Sequence, residues 1–331
     1  MSLIDQIRFS TLDLAPIRDD GTPAQALRNS LALAQHVERL GFERFWVAEH
    51  HNMDGIASSA TAVLIGYLAG GTSRIRVGAG GVMLPNHSPL VIAEQFGTLE
   101  ALYPGRIDLG LGRAPGADQY TAHALRRDRL GSADDFPAEV EELQFLLGPS
   151  QPGQRVIAMP GVGSQVPIWL LGSSLFSAQL AAAKGLPYAF ASHFAPRYMH
   201  EAIRLYRDNF QPSEVLQKPY VMLGVPLIAA DSDERAEYLA TSAYQRILAL
   251  IRGQSLVQRP PLASMQGLWQ PHEQQAVGEF LGLALIGGPQ KIRARLEVLL
   301  EQTQADELIF TSDLYAFEDR LRSFEVLASL R

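Results

Sequence analysis

Phe45-Trp46-Val47-Ala48-Glu49-His50-His51 is the stretch on which the fold turns. Its first four residues are apolar and partly β-branched, and they follow a helix-like segment that ends at Gly41. A short apolar run after a helix stop reads as a buried parallel strand. Three polar residues then sit where that strand ends. In parallel sheets and barrels, reactive groups gather at that end. Imidazoles there can change protonation near neutral pH. The alternative is a pair of hydrogen-bonded core histidines. Adjacent strand residues point to opposite faces, so His50 and His51 cannot serve one metal ion, and no metal site is expected.

Outward from this strand, strand-like and helix-like segments alternate. Strands are predicted at 7–14, 45–49, 75–83, 106–111, 166–172, 187–192, 220–229 and 306–311. Helices are predicted at 23–40, 58–70, 89–102, 136–147, 174–184, 196–210, 231–252, 289–302 and 315–329, with one more near 272–284. In the first helix Leu27, Leu31, Ala34, Val37 and Leu40 share one face behind Pro23. Eight strands, nearly all followed by helices, predict an α/β chain of the (β/α)8 TIM barrel type, with an open doubly wound sheet as the alternative. One domain over 1–331 is expected. Two long insertions, 113–134 and 253–288, leave from the C-terminal face of the barrel. The second mixes Pro260, Pro261 and Pro271 with Leu256, Leu262, Met265, Leu268 and Trp269, a mixture that predicts a mobile lid, with a static loop packed on the barrel rim as the alternative.

Composition excludes several classes. Apolar residues make up 47% of 331 and charged residues 19%, enough for a large core. The net charge is −7 and no Lys/Arg run stands out, which argues against nucleic acid and anionic membrane surfaces. Cysteine is absent, so thiolate chemistry is excluded. No charge falls between Gly55 and Ser73, but the serines, threonines and glycines there suit a buried helix better than a membrane span. The charged N-terminus lacks a signal core, and a cytoplasmic protein is expected.

Glycines and serines mark the other candidate positions. Gly78-Ala79-Gly80-Gly81 fails the dinucleotide pattern because Met83 takes the third glycine position. Glycine inside a strand still marks either a tight corner or the close approach of another group. Gly172-Ser173-Ser174 ends a strand and opens a helix, with Ser177 one turn on. A helix N-terminus offers free N–H groups to an anion, and Arg113, just past another strand, can clamp the same anion. A plain N-cap explains one of those serines.

Ala48-Glu49-His50-His51, Val77 through Pro85, Ala93-Glu94-Gln95, Leu99 and Gly105 through Arg113 together resemble the bacterial luciferase-like flavin monooxygenases. The order continues through Gly172-Ser173-Ser174 and Gly287-Gly288-Pro289, so the resemblance spans almost the whole chain. It implies a barrel that binds reduced FMN at its C-terminal face or, in one branch, the deazaflavin F420. It implies that His50 is the active-site histidine beside the flavin and that His51 is structural. Gly80 and Gly81 match a pair joined by a non-prolyl cis peptide under the flavin ring, with Val82 next in the same cofactor-binding run. Arg113, Gly172, Ser173, Ser174 and Ser177 match the phosphate site, although Ser173 replaces an acidic residue of luciferase itself. Arg126, Arg127 or Arg129 would supply a second cation to the phosphate. The implied activity is that of a two-component monooxygenase whose reduced FMN comes from a separate flavin reductase. F420-dependent hydride transfer and flavin binding without turnover are the alternatives. A small organic substrate would meet a mixed pocket that includes His193, Met265, Leu268 and Trp269. The family also implies a homodimer formed through the helices at 58–70 and 89–102.

Overall fold

A computed structural model describes residues 3–114, 119–125, 135–193 and 195–331. Its strands are β1 (Arg8–Asp13), β2 (Arg44–Val47), β3 (Arg76–Met83), β4 (Ile107–Gly112), β5 (Ile168–Gly172), β6 (Tyr188–Phe190), β7 (Val221–Ala229), β8 (Leu285–Gly287) and β9 (Glu307–Thr311). Its helices are α1 (Leu3–Gln6), α2 (Pro23–Arg39), α3 (Thr61–Gly70), α4 (Pro89–Leu102), α5 (Gln119–Leu125), α6 (Phe136–Leu147), α7 (Leu175–Lys184), α8 (Met199–Asp208), α9 (Asp233–Ile251), α10 (Pro271–Phe280), α11 (Pro289–Thr303) and α12 (Phe317–Ala328).

All paired strands run parallel. The order β1-β2-β3-β4-β5-β6-β7-β9 closes on itself through the β6–β7, β7–β9 and β9–β1 pairings, which makes an eight-stranded (β/α)8 barrel. The eighth barrel strand is therefore β9. The three-residue β8 is an addition that pairs with the far end of β7, at Leu227↔Leu285 through Ala229↔Gly287. It lies inside 253–288, whose sequence reads as irregular because a strand of three residues is too short to show a period. Residues 119–125 are helical where a loop was expected. Arg126, Arg127 and Arg129 lie outside the described residues. No described helix is long and apolar enough to cross a membrane.

The barrel interior is layered. At the N-terminal end, the Arg44 guanidinium lies 2.7 Å from Asp108 and 3.0 Å from Glu307, all three buried. Arg76 and the Trp46 indole N–H also bond Asp108, at 2.6 and 3.1 Å, while Tyr220 and Ser10 bond Glu307. Buried charges persist when they are paired and hydrogen-bonded in this way. Above them Leu12, Trp46, Trp169, Ala189, Met222 and Ile309 form an apolar layer. The rings of Trp46 and Trp169 meet edge to face at 5.2 Å. These two layers fill the barrel from below and leave the C-terminal mouth open for a site.

The segment expected to form a lid packs on the barrel rim. Asp19 N–H donates to Gln258 O at 2.9 Å, and Gln258 N–H donates to Ile17 O at 2.8 Å. Arg252 grips both carboxylate oxygens of Glu273 at 2.7 Å. Met265 is buried with Ile247, Leu248 and Val277 in a satellite core. Of the apolar residues that suggested a lid, Leu262, Met265 and Trp269 pack in that core, while Leu268 is exposed.

Candidate active site at the barrel mouth

β2 ends at Val47, and the next four residues keep an alternation of facing. Glu49 and His51 turn to one side, where the His51 Nε2 lies 2.9 Å from Glu49 Oε1. His50 turns to the other. Its backbone N–H is fixed to Ser58 O at 3.1 Å, while its Nδ1 is buried with no hydrogen-bond partner among the described residues. A buried polar atom without a partner is costly and marks a place for a ligand. Burial and then the Arg246 guanidinium push the His50 imidazole below its ordinary pKa, with Glu49 pulling the other way and His51 adding to the depression. His50 is therefore neutral at neutral pH. Arg246 itself is held by Asp313 at 2.6 Å.

A second imidazole stands across the mouth. β2 and β6 are four places apart in either direction around the ring, so the residues that follow them face each other. His193 follows β6. It lies over β7 at Gly224, where a Cβ would fall 2.3 Å from its Nδ1, and Ser192 Oγ donates to Gly224 O at 2.6 Å. Burial, and then the charge on His50, push His193 down to about 4. The first proton thus goes to His50 and opposes the second. His50→Gln removes that charge, so His193 is expected to titrate at a higher pH than in the wild type, with burial limiting the rise. Histidine ring-proton NMR reads this directly. An unmoved His193 would show that the two rings do not interact.

The proposed phosphate residues converge on two neighbouring strands. β4 and β5 pair at Gly112↔Leu171, which sets Arg113 beside Gly172. The Arg113 guanidinium stacks on Phe176, in the first turn of α7, at 4.2 Å. Ser174 is the N-cap of α7, and its hydroxyl makes no capping bond, so it is available to a ligand. Ser177 is buried, and Gly172 makes room for it: a Cβ at Gly172 would lie 2.3 Å from Ser177 Oγ. Gly80 and Gly81 lie in β3, next to Val82, and are joined by a cis peptide. A Cβ at Gly81 would come 2.7 Å from Gly110 O, so the glycine there lets β4 approach closely.

A cavity of about 760 Å³ opens from His50 between the loop after β2 and the segment after α9. Its walls include Asn52, Met53, Asp54, Ile56, Leu250, Gln254 and Leu256. Of the pocket residues expected from sequence, Met265 is in the satellite core, Trp269 packs on Tyr244, Leu268 is exposed and His193 lies over Gly224; none lines this cavity. The actual wall was not legible because it comes from loop residues with no motif and from Leu250 near the end of α9. Among the described residues, the donor atoms of Glu49, His51 and His87 lie within 4.8 Å of one another and could hold an ion. Glu49 Oε1, however, already lies within hydrogen-bond distance of both ring nitrogens. Sequence reading missed His87 because nothing in the spacing ties it to Glu49.

Residues 7–307 match the family model described as luciferase-like monooxygenase. The chain is 52% identical to a luciferase-like monooxygenase of Escherichia coli (strain K12) over 98% of this chain and 97% of that one. It is 40% identical to the N-acetyl-S-alkylcysteine monooxygenase of Bacillus subtilis (strain 168) over 70% of each chain. The crystal structure of apo-MsnO8 superposes with a TM-score of 0.92 at 37% identity, covering 98% of both chains.

Proposed function

The chain belongs to the luciferase-like monooxygenase family, and from that premise we propose that it is a two-component FMN-dependent monooxygenase acting on a small organic substrate. The observation that carries this reading is the meeting of Arg113 with the uncapped N-terminus of α7 at the same mouth as His50. Arg113, Ser173, Ser174 and the first N–H groups of α7 would hold the phosphate of FMN, since a helix N-terminus and a guanidinium both favour an anion. Gly80, Gly81 and Val82 would underlie the ring, where the absence of side chains on the glycines leaves a flat floor. When bound, reduced flavin supplies the electrons that activate oxygen. His50 would present a neutral imidazole to the reacting oxygen, able to donate or accept a hydrogen bond. The cavity beyond His50 would take the substrate, and an N-acetyl-S-alkylcysteine, the class named for the Bacillus subtilis relative, is the first compound to try.

Without a dinucleotide fingerprint, the reduced flavin would come from a separate reductase. The homodimer belongs to the same proposal. Val63 and Tyr67 on α3 and Val91 and Leu102 on α4 are exposed apolar side chains on the two helices concerned. Arg113→Ala is expected to weaken FMN by about 1.5–3 kcal/mol, roughly ten- to a hundredfold in Kd, and to leave riboflavin nearly unchanged. Titration with both flavins tests this. Equal loss for both would remove Arg113 from the phosphate site, and tight F420 binding without FMN binding would overturn the choice of cofactor.

A further inference from the structure

We infer that Glu49 is a positioning residue whose carboxylate clasps the end of β2 to the end of β3 and so fixes both His50 and the backbone around Gly80 and Gly81. The inference rests on the flavin reading above and concerns the ring end of that site, not the phosphate end.

The backbone ladder between the two strands stops early. Its last pair is Val47↔Ala79, and the pairing of β3 with β4 shifts register between Ala79 and Val82. Beyond that point the tie passes to one side chain. Glu49 is 1% exposed. Its Oε2 accepts from Met83 N–H at 3.1 Å. Its Oε1 lies 2.9 Å from His51 Nε2, 2.8 Å from His87 Nε2 and 3.4 Å from Asn86 Nδ2. Met83 is two residues past Gly81, and Asn86 and His87 follow in the next turn of chain. One buried carboxylate therefore binds the last residue of β3 and two positions in the chain just beyond it, while its neighbour His50 is held on the other side by Ser58.

A buried carboxylate is retained at a cost unless its lone pairs are met. Burial alone would push this carboxyl up, but the bonds from His87, His51 and Met83 hold it below the usual range. The ionised form is thus the native one, and it binds all its donors at once. Its loss would free the Met83 backbone and both imidazoles together. The neighbours that follow such a hub in space, rather than in sequence, would shift with it.

The test uses the intact chain with FMN and riboflavin as probes. Glu49→Ala and His87→Leu are expected to weaken both flavins by the same factor, about tenfold or more. This contrasts with Arg113→Ala, which acts on FMN alone. His87→Gln offers an amide N–H close to the place of Nε2–H and is expected to restore affinity to within about threefold of wild type. A purely structural role would lower the unfolding midpoint without this pattern of rescue. Should Glu49→Ala fail to fold, the two His87 variants decide the matter. Folded Glu49→Ala or His87→Leu protein that binds riboflavin as wild type does would overturn the clasp. Wild-type protein that binds neither flavin would overturn the flavin reading, and the clasp with it.

Discussion

Arg44→Met is expected to cost about 3–5 kcal/mol of folding stability, because it strands two buried carboxylates that share one cation. Asp108 keeps Arg76, but Glu307 keeps only the hydroxyls of Ser10 and Tyr220. Burial pushes the Glu307 carboxyl up, and Arg44 is the largest influence pulling it back. Without Arg44 it rises further. A carboxyl raised in the folded state costs stability in full above its folded pKa, and the cost declines from there as pH falls toward the unfolded pKa. The deficit is therefore largest at neutral pH and shrinks on acidification. Arg44→Met with Glu307→Gln removes the stranded charge and is expected to recover much of the loss. Urea unfolding across a pH series measures both. A loss below about 1 kcal/mol, or a double variant no better than the single, would show that the network is not the stabilising unit described.

His50→Ala is expected to lower oxygenated product by about 10²–10⁴-fold while the protein still folds and binds FMN. The motive is the buried Nδ1 without a partner at the mouth. With reduced FMN supplied by a reductase, the electrons would appear instead as peroxide. His51→Ala, which removes one donor from Glu49, is expected mainly to lower stability, by about 1–3 kcal/mol. Product and peroxide assays with thermal unfolding separate the two. Exchange of the two phenotypes would mean that the facing of Glu49, His50 and His51 is the reverse of that described.

The architecture was legible because each barrel strand carries a contiguous apolar run and each helix a periodic face. β8 was not, because three residues carry no period. His50 and the Arg113–Ser174 pair were legible because they stand at strand ends within short motifs. His193, Arg246 and His87 were harder to place. His193 reaches the mouth only because β6 lies opposite β2, Arg246 comes from the middle of α9, and His87 joins Glu49 across two strands. Long-range closure makes these meetings, and no local pattern encodes it. The segment 253–288 was legible only in part. Its apolar residues were visible, but whether they would face a ligand or α9 was not.

The two filled layers beneath the mouth close the base of the barrel. Whatever binds must therefore arrive and depart on the side where the reactive groups stand. Arg113, His50 and the cavity between Met53 and Leu256 all lie on that side. A cofactor and a substrate would share one approach, and whichever is bound first would shape the way in for the other.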